Sequence, residues 1–101
     1  MAITGFVKGE DVPVILTNLP EGSEIKRLDF EQKKVIIVTK TGSDIIIDGN
    51  TGYTELTQED TLKFDEKRTV EVQLSFVLGG KAKRTLIKSF YVARAEYKGV
   101  I

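Results

Sequence analysis

Residues 69–92 read TVEVQLSFVLGGKAKRTLIKSFYV, two runs of β-branched and aromatic residues joined by Gly79 and Gly80. Alternate residues of a strand point to the same face, so the first run predicts a strand with one apolar face. The paired glycines predict a hairpin, because glycine readily adopts the left-handed conformation that tight turns need. The residues predicted to share the core face are Val70, Val72, Leu74, Phe76 and Leu78.

The loop length decides which residues pair across this hairpin. A two-residue turn at the glycines would place Phe76 opposite Lys83, which leaves an apolar side chain without an apolar partner. We therefore predict a three-residue loop, Gly79 to Lys81, with one glycine in the left-handed conformation. This register pairs Leu78 with Ala82, Leu74 with Leu86, and Val70 with Phe90.

Short β-branched segments bounded by Gly, Asn, Asp and Pro recur about every ten residues along the rest of the chain,. That spacing predicts an all-β sandwich or barrel in a single domain, residues 1–101. The strands are predicted at Ile3–Lys8, Val12–Thr17, Glu24–Phe30, Lys34–Lys40, Ser43–Asp48, Gly52–Leu56, Thr69–Leu78 and Ala82–Ala93.

A second hairpin is predicted from KKVIIVTKTGSDIIID, residues 33–48. Closing it across Thr41 and Gly42 brings two aliphatic runs into register, and both faces of the hairpin are then apolar. Either other elements of the chain cover both faces, or one face is a surface that a partner covers. The pairs are Val38 with Ile45, Ile37 with Ile46, and Ile36 with Ile47, and these six residues with Val35 form a candidate interface.

One helical turn is predicted near residues 57–62, where the sequence TQED precedes TLKF. Thr57 is a good N-cap, and Asp60, three positions later, completes a capping box and complements the positive end of the turn. A single turn of this kind suits a crossover from one sheet to the other, with Leu62 and Phe64 packed on the core.

Composition excludes several kinds of site. The 101 residues include no Cys and no His, which removes disulfides, thiolate nucleophiles, the usual zinc ligands and the usual general base near neutral pH,. The sequence DGNTG at 48–52 predicts a turn more readily than a calcium loop, because the later acidic ligand is missing. We therefore expect no enzyme activity, no metal and no cofactor.

The first residues lack the pattern of a secretory signal, and no run is long enough to span a membrane, which favours a cytoplasmic protein.

Charge is balanced overall but unevenly distributed. Residues 1–66 hold 7 Lys and Arg against 13 Asp and Glu, and residues 67–101 hold 8 against 2, so the two parts carry −6 and +6. Three explanations are open: a nucleic-acid patch, a head-to-tail contact between copies, or oppositely charged strands that lie side by side. The basic residues of interest are Lys81, Lys83, Arg84 and Lys88, and in a head-to-tail contact they would meet Glu55, Glu59 or Asp65.

Nucleic acid is the least favoured of these partners. A binding face of that kind interleaves exposed aromatic residues with cations, whereas Phe90 is predicted to point inward and Glu71 lies on the opposite strand. A strand edge protected by lysines explains the same pattern.

The segments LTQEDTLKF (56–64) and TVEVQLSFVLGGKAKRTLIKSFYV (69–92), with the terminal YKGVI (97–101), carry a resemblance to a known group. Residues 44–101 resemble small tail and baseplate proteins of phages and prophages of Gram-positive bacteria. They are also similar to the N-terminal domain of siphophage upper baseplate proteins. The turn GGKAKR (79–84) departs from the group, whose turn is usually of the Asp-Gly type.

The resemblance implies an immunoglobulin-like antiparallel β-sandwich of about seven or eight strands, and no catalytic residue comes with it. It implies a virion protein that self-associates and docks to other phage structural proteins, found in the bacterial cytoplasm during assembly and then in the particle. The alternative function is a cell-surface saccharide-binding module of a phage tip, with Tyr53, Tyr91 and Tyr97 as stacking residues.

Overall fold

The computed structural model describes residues 5–95, except for the side chains of Lys88 and Phe90. This part of the chain forms eight strands, one 3-10 turn and one short α-helix. The strands are β1 Gly5–Val7, β2 Val12–Leu16, β3 Glu24–Gln32, β4 Val35–Thr41, β5 Ile46–Asp48, β6 Thr51–Leu56, β7 Arg68–Leu78 and β8 Lys81–Ala93. The 3-10 turn is Gly42–Asp44, and the helix α1 is Gln58–Leu62.

The strands form two sheets, a five-stranded sheet ordered β1-β8-β7-β3-β4 and a three-stranded sheet ordered β2-β6-β5. The pairings are antiparallel except that β1 runs parallel to β8. The smaller sheet corresponds to strands B, E and D of the immunoglobulin fold, and β8, β7, β3 and β4 correspond to strands G, F, C and C′. The predicted immunoglobulin-like all-β sandwich is therefore confirmed.

The two sheets enclose one apolar core, to which most strands contribute alternate residues. Phe30 and Phe64 are fully buried, and Phe6 packs edge-on against Phe64 with 5.8 Å between the ring centroids. Because the chain has no cysteine, no disulfide joins the sheets, and packing of these side chains holds the sandwich together,.

The long hairpin of β7 and β8 is confirmed, but the predicted loop is wrong. Gly79 and Gly80, with φ of 60° and 75°, form a two-residue turn closed by Leu78 and Lys81. A bulge beyond Gln73 then shifts the register, so that Val70 does pair with Phe90 while Leu74 pairs with Thr85. The bulge restores the register that a longer loop would have supplied. Of the predicted core face, four residues are buried and Leu78 is half-buried.

The predicted hairpin at residues 33–48 is wrong. β4 pairs with β3 in the larger sheet and β5 pairs with β6 in the smaller one, so Val38 lies opposite Phe30 and Ile46 lies opposite Tyr53. Between them, the Asp44 carboxylate accepts hydrogen bonds from the Thr41 N–H (2.9 Å) and the Thr41 hydroxyl (3.0 Å). This bonding stabilises a 3-10 turn in place of a hairpin turn, and the chain changes sheets there.

The predicted crossover at residues 57–62 is confirmed, since α1 links β6 of the smaller sheet to β7 of the larger. The Thr57 hydroxyl accepts from the Asp60 N–H (3.2 Å), and the Asp60 carboxylate accepts from the Thr57 N–H (3.0 Å). The fully buried Thr61 hydroxyl ties the helix to the β1–β2 loop, because it accepts from the Gly9 N–H and donates to the Glu10 carbonyl. The sequences TGSD and TQED therefore play the same part at two different crossovers.

A strained turn joins β3 to β4. Gln32 pairs with Val35, so the turn consists of Lys33 and Lys34, whose φ angles are 52° and 64°. Such a turn favours Asn-Gly, and residues with a Cβ atom lose free energy in this left-handed region.

Replacing the pair with Lys33→Asn and Lys34→Gly should therefore raise the free energy of unfolding by about 1 kcal/mol. Thermal denaturation should show a midpoint roughly 4–8 °C higher. The control is Lys33→Ala with Lys34→Ala, which removes both charges but keeps two Cβ atoms. An equal gain in stability in the control would show that removal of the charges stabilises the turn, and would contradict an effect of backbone strain.

Asp60 also pairs with Lys40, whose Nζ lies 2.7 Å from the Asp60 carboxylate in a site where both side chains are mostly buried. Burial opposes ionisation of Asp60, but the hydrogen bonds from Lys40 and from the Thr57 N–H outweigh it, and the pKa of Asp60 is lowered. A lowered folded-state pKa stabilises the fold above the unfolded pKa of about 3.9, and this contribution is lost as the pH falls through the folded value.

Asp60→Asn should destabilise the domain by about 2 kcal/mol at pH 7, because Lys40 then remains partly buried without its carboxylate. Urea denaturation of both proteins should show this difference shrinking as the pH falls below about 4. Glu59→Gln, which changes an exposed carboxylate on the same helix, is the control. A difference that stays constant into the acid range would show that the ionised form of Asp60 is not what stabilises the fold.

Candidate interaction surface

The outer face of the five-stranded sheet is polar at its centre, on β3 and β7. Asp29 is 4% exposed there, and its carboxylate accepts hydrogen bonds from the Arg27 guanidinium (2.7 Å) and the Thr39 hydroxyl (2.8 Å). The next strand contributes Gln73 and Glu71 to the same face, opposite Asp29 and Glu31. The centre of this face is therefore polar and hydrogen-bonded, as an ordinary sandwich surface should be.

The outer face of the three-stranded sheet has a different character. Ile15 of β2 pairs with Tyr53 of β6, and Tyr53 pairs with Ile46 of β5, so the three side chains form one row across the sheet. Ile46 is 71% exposed, Tyr53 is 41% exposed and Ile15 is half-buried. We call Ile15, Tyr53 and Ile46 the apolar row. Contiguous exposed apolar side chains on a rigid sheet mark an interaction surface more often than a solvated one.

Two carboxylates flank the apolar row. Glu55 lies two residues beyond Tyr53 on β6, and Asp48 lies two residues beyond Ile46 on β5, so both share the outer face,. The strands β2, β5 and β6 contain no Lys or Arg. The surface is thus an apolar strip with one carboxylate on each of its two long sides.

The structure divides the seven aliphatic residues of the predicted interface between surface and core. Val38 and Ile45 are 6% and 5% exposed and belong to the core, and Ile37 packs partly against it. The exposed members are Val35 and Ile36 on β4, and Ile46 and Ile47 on β5. Only Ile46 lies in the apolar row. Ile15 and Tyr53 were not predicted as interface residues, although the phase of alternation in VPVIL and TGYTEL places them on the outer face.

Three of the basic residues of β8, Lys81, Lys83 and Arg84, lie in its first half, which is exposed from Lys81 to Leu86 on both faces of the strand. We call residues 81–86 the basic arm. Among residues 5–95, none of the ion pairs involves a side chain of the basic arm. Lys88 pairs through its backbone with Val72, and its side chain lies outside the described part of the structure. The arm is therefore not neutralised by an acidic strand beside it.

The tyrosines do not form one platform. Tyr53 lies on the outer face of the smaller sheet, whereas Tyr91, 50% exposed, pairs with Thr69 on the outer face of the larger sheet. Tyr97 lies outside the described residues. The neighbours of Tyr53 in the row are isoleucines rather than the polar groups that usually accompany a stacked sugar.

A cleft of about 170 Å³ at one end of the sandwich is lined by apolar side chains and one threonine. Its residues are Leu16, Thr17, Leu19, Leu74 and Ile87.

Asp48 and Thr51 close the predicted turn of DGNTG, which is confirmed as the β5–β6 connection. Across residues 5–95, no three acidic side chains cluster as metal ligands, and no helix is long and apolar enough to cross a bilayer.

The fold and surface define a small immunoglobulin-like domain that exposes an apolar row on its smaller sheet. Comparison of the chain with known families, curated proteins and solved structures finds no significant match.

Two adjacent isoleucines test the division between core and surface. Ile45→Ala should lower the free energy of unfolding by about 3 kcal/mol, because it leaves a cavity in the core. Ile46→Ala removes the same atoms from an exposed site and should change stability by less than about 0.5 kcal/mol. Urea denaturation of the two variants gives the comparison. Similar losses at both positions would contradict the outward orientation of Ile46.

Proposed function

We propose that this chain is a non-enzymatic structural module of a phage or prophage particle, in its tail or baseplate region. It acts by self-association and by docking to neighbouring virion proteins. The single observation that carries the assembly role is the apolar row on the outer face of the smaller sheet. The sequence resemblance of residues 44–101 supports the particle setting.

The row suits repeated, individually weak contacts. Burying one large aliphatic side chain completely contributes about 1.5–3 kcal/mol, and these three side chains are already partly covered. A contact centred on the row would therefore provide only a few kcal/mol beyond the cost of association, which corresponds to weak pairwise binding. In a particle that repeats the contact many times, such weak interactions together hold the assembly firmly.

The polar centre of the larger sheet's outer face supports the assembly role of the apolar row by contrast. Its most buried carboxylate, Asp29, is already bound by Arg27 and Thr39 of the same chain. A group that is occupied in this way is a structural element of the sheet, whereas the apolar row gains free energy only when a partner covers it.

Ile46→Asp should remove the protein from particles, because it places a charge at the most exposed position of the row. The measurement is immunodetection of the chain in particles purified after induction of a host that carries the wild-type or the variant gene. Ile36→Asp is the matched control, since Ile36 is also half-exposed but lies on the edge strand β4 of the larger sheet.

Three outcomes are decisive. Wild-type protein in purified particles, lost in Ile46→Asp and retained in Ile36→Asp, supports the proposal. Its absence from particles contradicts the proposal. Saturable binding to cell-wall glycan that is lost in Tyr53→Ala would favour the saccharide-binding alternative instead.

A further inference from the structure

We propose that copies of this chain associate head to tail, with the outer face of the basic arm of one copy lying on the apolar row of the next. This inference rests on the proposed assembly role and identifies the two surfaces that meet. Each copy then contributes two different surfaces, one to each neighbour.

The outer face of the arm carries one large apolar side chain and one cation. Leu86 pairs with Gln73, and Arg84 pairs with Ser75. Because Gln73 and Ser75 alternate with the buried Leu74, their partners Leu86 and Arg84 face outward together,. Leu86 is 59% exposed, so this face offers an apolar contact two residues away from a positive charge.

The spacing of the two surfaces matches. Leu86 and Arg84 are two residues apart on one strand, which separates them by about 6.8 Å. Tyr53 and Glu55 have the same spacing on β6, and so do Ile46 and Asp48 on β5. When Leu86 lies on the apolar row, Arg84 therefore lies at the level of a carboxylate.

Charge selects this arrangement over the symmetric one. Stacking two copies row against row would bring Asp48 and Glu55 of one copy close to the same carboxylates of the other, with no Lys or Arg in these strands to separate them. Like charges at an interface are unfavourable, whereas the basic arm contains no acidic residue,. The acid-flanked row therefore fits the arm of a second copy better than it fits itself.

A contact between two different surfaces produces a ring if the rotation that relates successive copies returns to the first copy, and an open chain if it does not. Exposed ion pairs of this kind contribute at most about 1 kcal/mol each, so they orient the copies while apolar burial holds them. Association should weaken as salt rises from about 0.05 M to 0.5 M, where the screening length falls from roughly 14 Å to about 4 Å.

The test mixes two variants that are each blocked on one surface. Leu86→Asp blocks the arm, and Ile46→Asp blocks the row. Sedimentation velocity should show wild-type protein as larger species at concentrations up to about 1 mM, and each variant alone as a monomer. An equimolar mixture should form dimers and nothing larger, because the intact arm of one variant fits the intact row of the other.

Both changes are at exposed positions, and far-UV circular dichroism confirms that each variant is folded. Ile36→Asp should associate as the wild type does. Arg84→Ser, a milder change, should weaken association by about threefold without abolishing it.

Other outcomes overturn the inference. Leu86→Asp that associates like the wild type would exclude the arm, and two variants that remain monomeric when mixed would indicate a symmetric contact. Wild-type protein that remains a monomer at about 1 mM would exclude head-to-tail association. These results are distinct from failure of the proposed function, which is judged by whether the protein is present in particles.

Discussion

The inner face of the five-stranded sheet is wider than the three-stranded sheet that covers it, and much of the structure follows from this inequality. The crossover through α1 carries Phe64 into the uncovered part of the core, where it packs against Phe6 and is completely buried. The first half of β8 remains exposed on both faces. The unequal sheets therefore account for both the helical turn and the free basic arm.

Because no disulfide joins the sheets, the connections between them largely determine which sheet each strand joins. Two of them begin with Thr-x-x-Asp, at 41–44 and 57–60, and in each the aspartate carboxylate accepts the threonine N–H. The hydrogen bonds from Thr41 lower the pKa of Asp44. Burial raises the pKa of Asp60, but the hydrogen bond from Lys40, together with that from the Thr57 N–H, outweighs it, and the pKa of Asp60 is lowered. Local hydrogen bonding at the two turns thus decides where the chain leaves one sheet for the other.

The outer faces of the two sheets differ in polarity. On the larger sheet, the buried Asp29 carboxylate is satisfied within the chain by Arg27 and Thr39. On the smaller sheet, the Tyr53 hydroxyl is the polar group of the row, and the two isoleucine side chains gain free energy only by losing contact with water,. The centre of the larger sheet is therefore polar and the outer face of the smaller sheet is apolar, while Leu86 and Tyr91 are exposed on β8 of the larger sheet.

Much of the architecture followed from sequence pattern alone. Alternation in β7 identified a core face, Gly79-Gly80 identified a hairpin, and the capping pattern at Thr57 identified the crossover, because each depends on residues close in the chain. The 33–48 region was misassigned, since two aliphatic runs joined by a short turn-like segment look like a hairpin unless the capping pattern at Thr41 is recognised.

Tertiary structure decided the rest. Whether Ile45 or Ile46 faces the core depends on which sheet β5 joins, and the apolar row brings together Ile15, Tyr53 and Ile46 from three separate segments. The bulge in the long hairpin was equally hidden, because register is set by packing against the opposite sheet as well as by the turn. The sequence by itself determined the strands, the turns and the all-β class, which are local properties. Only the packing of two unequal sheets determined which apolar residues remain exposed, because exposure depends on neighbours that are distant in the chain.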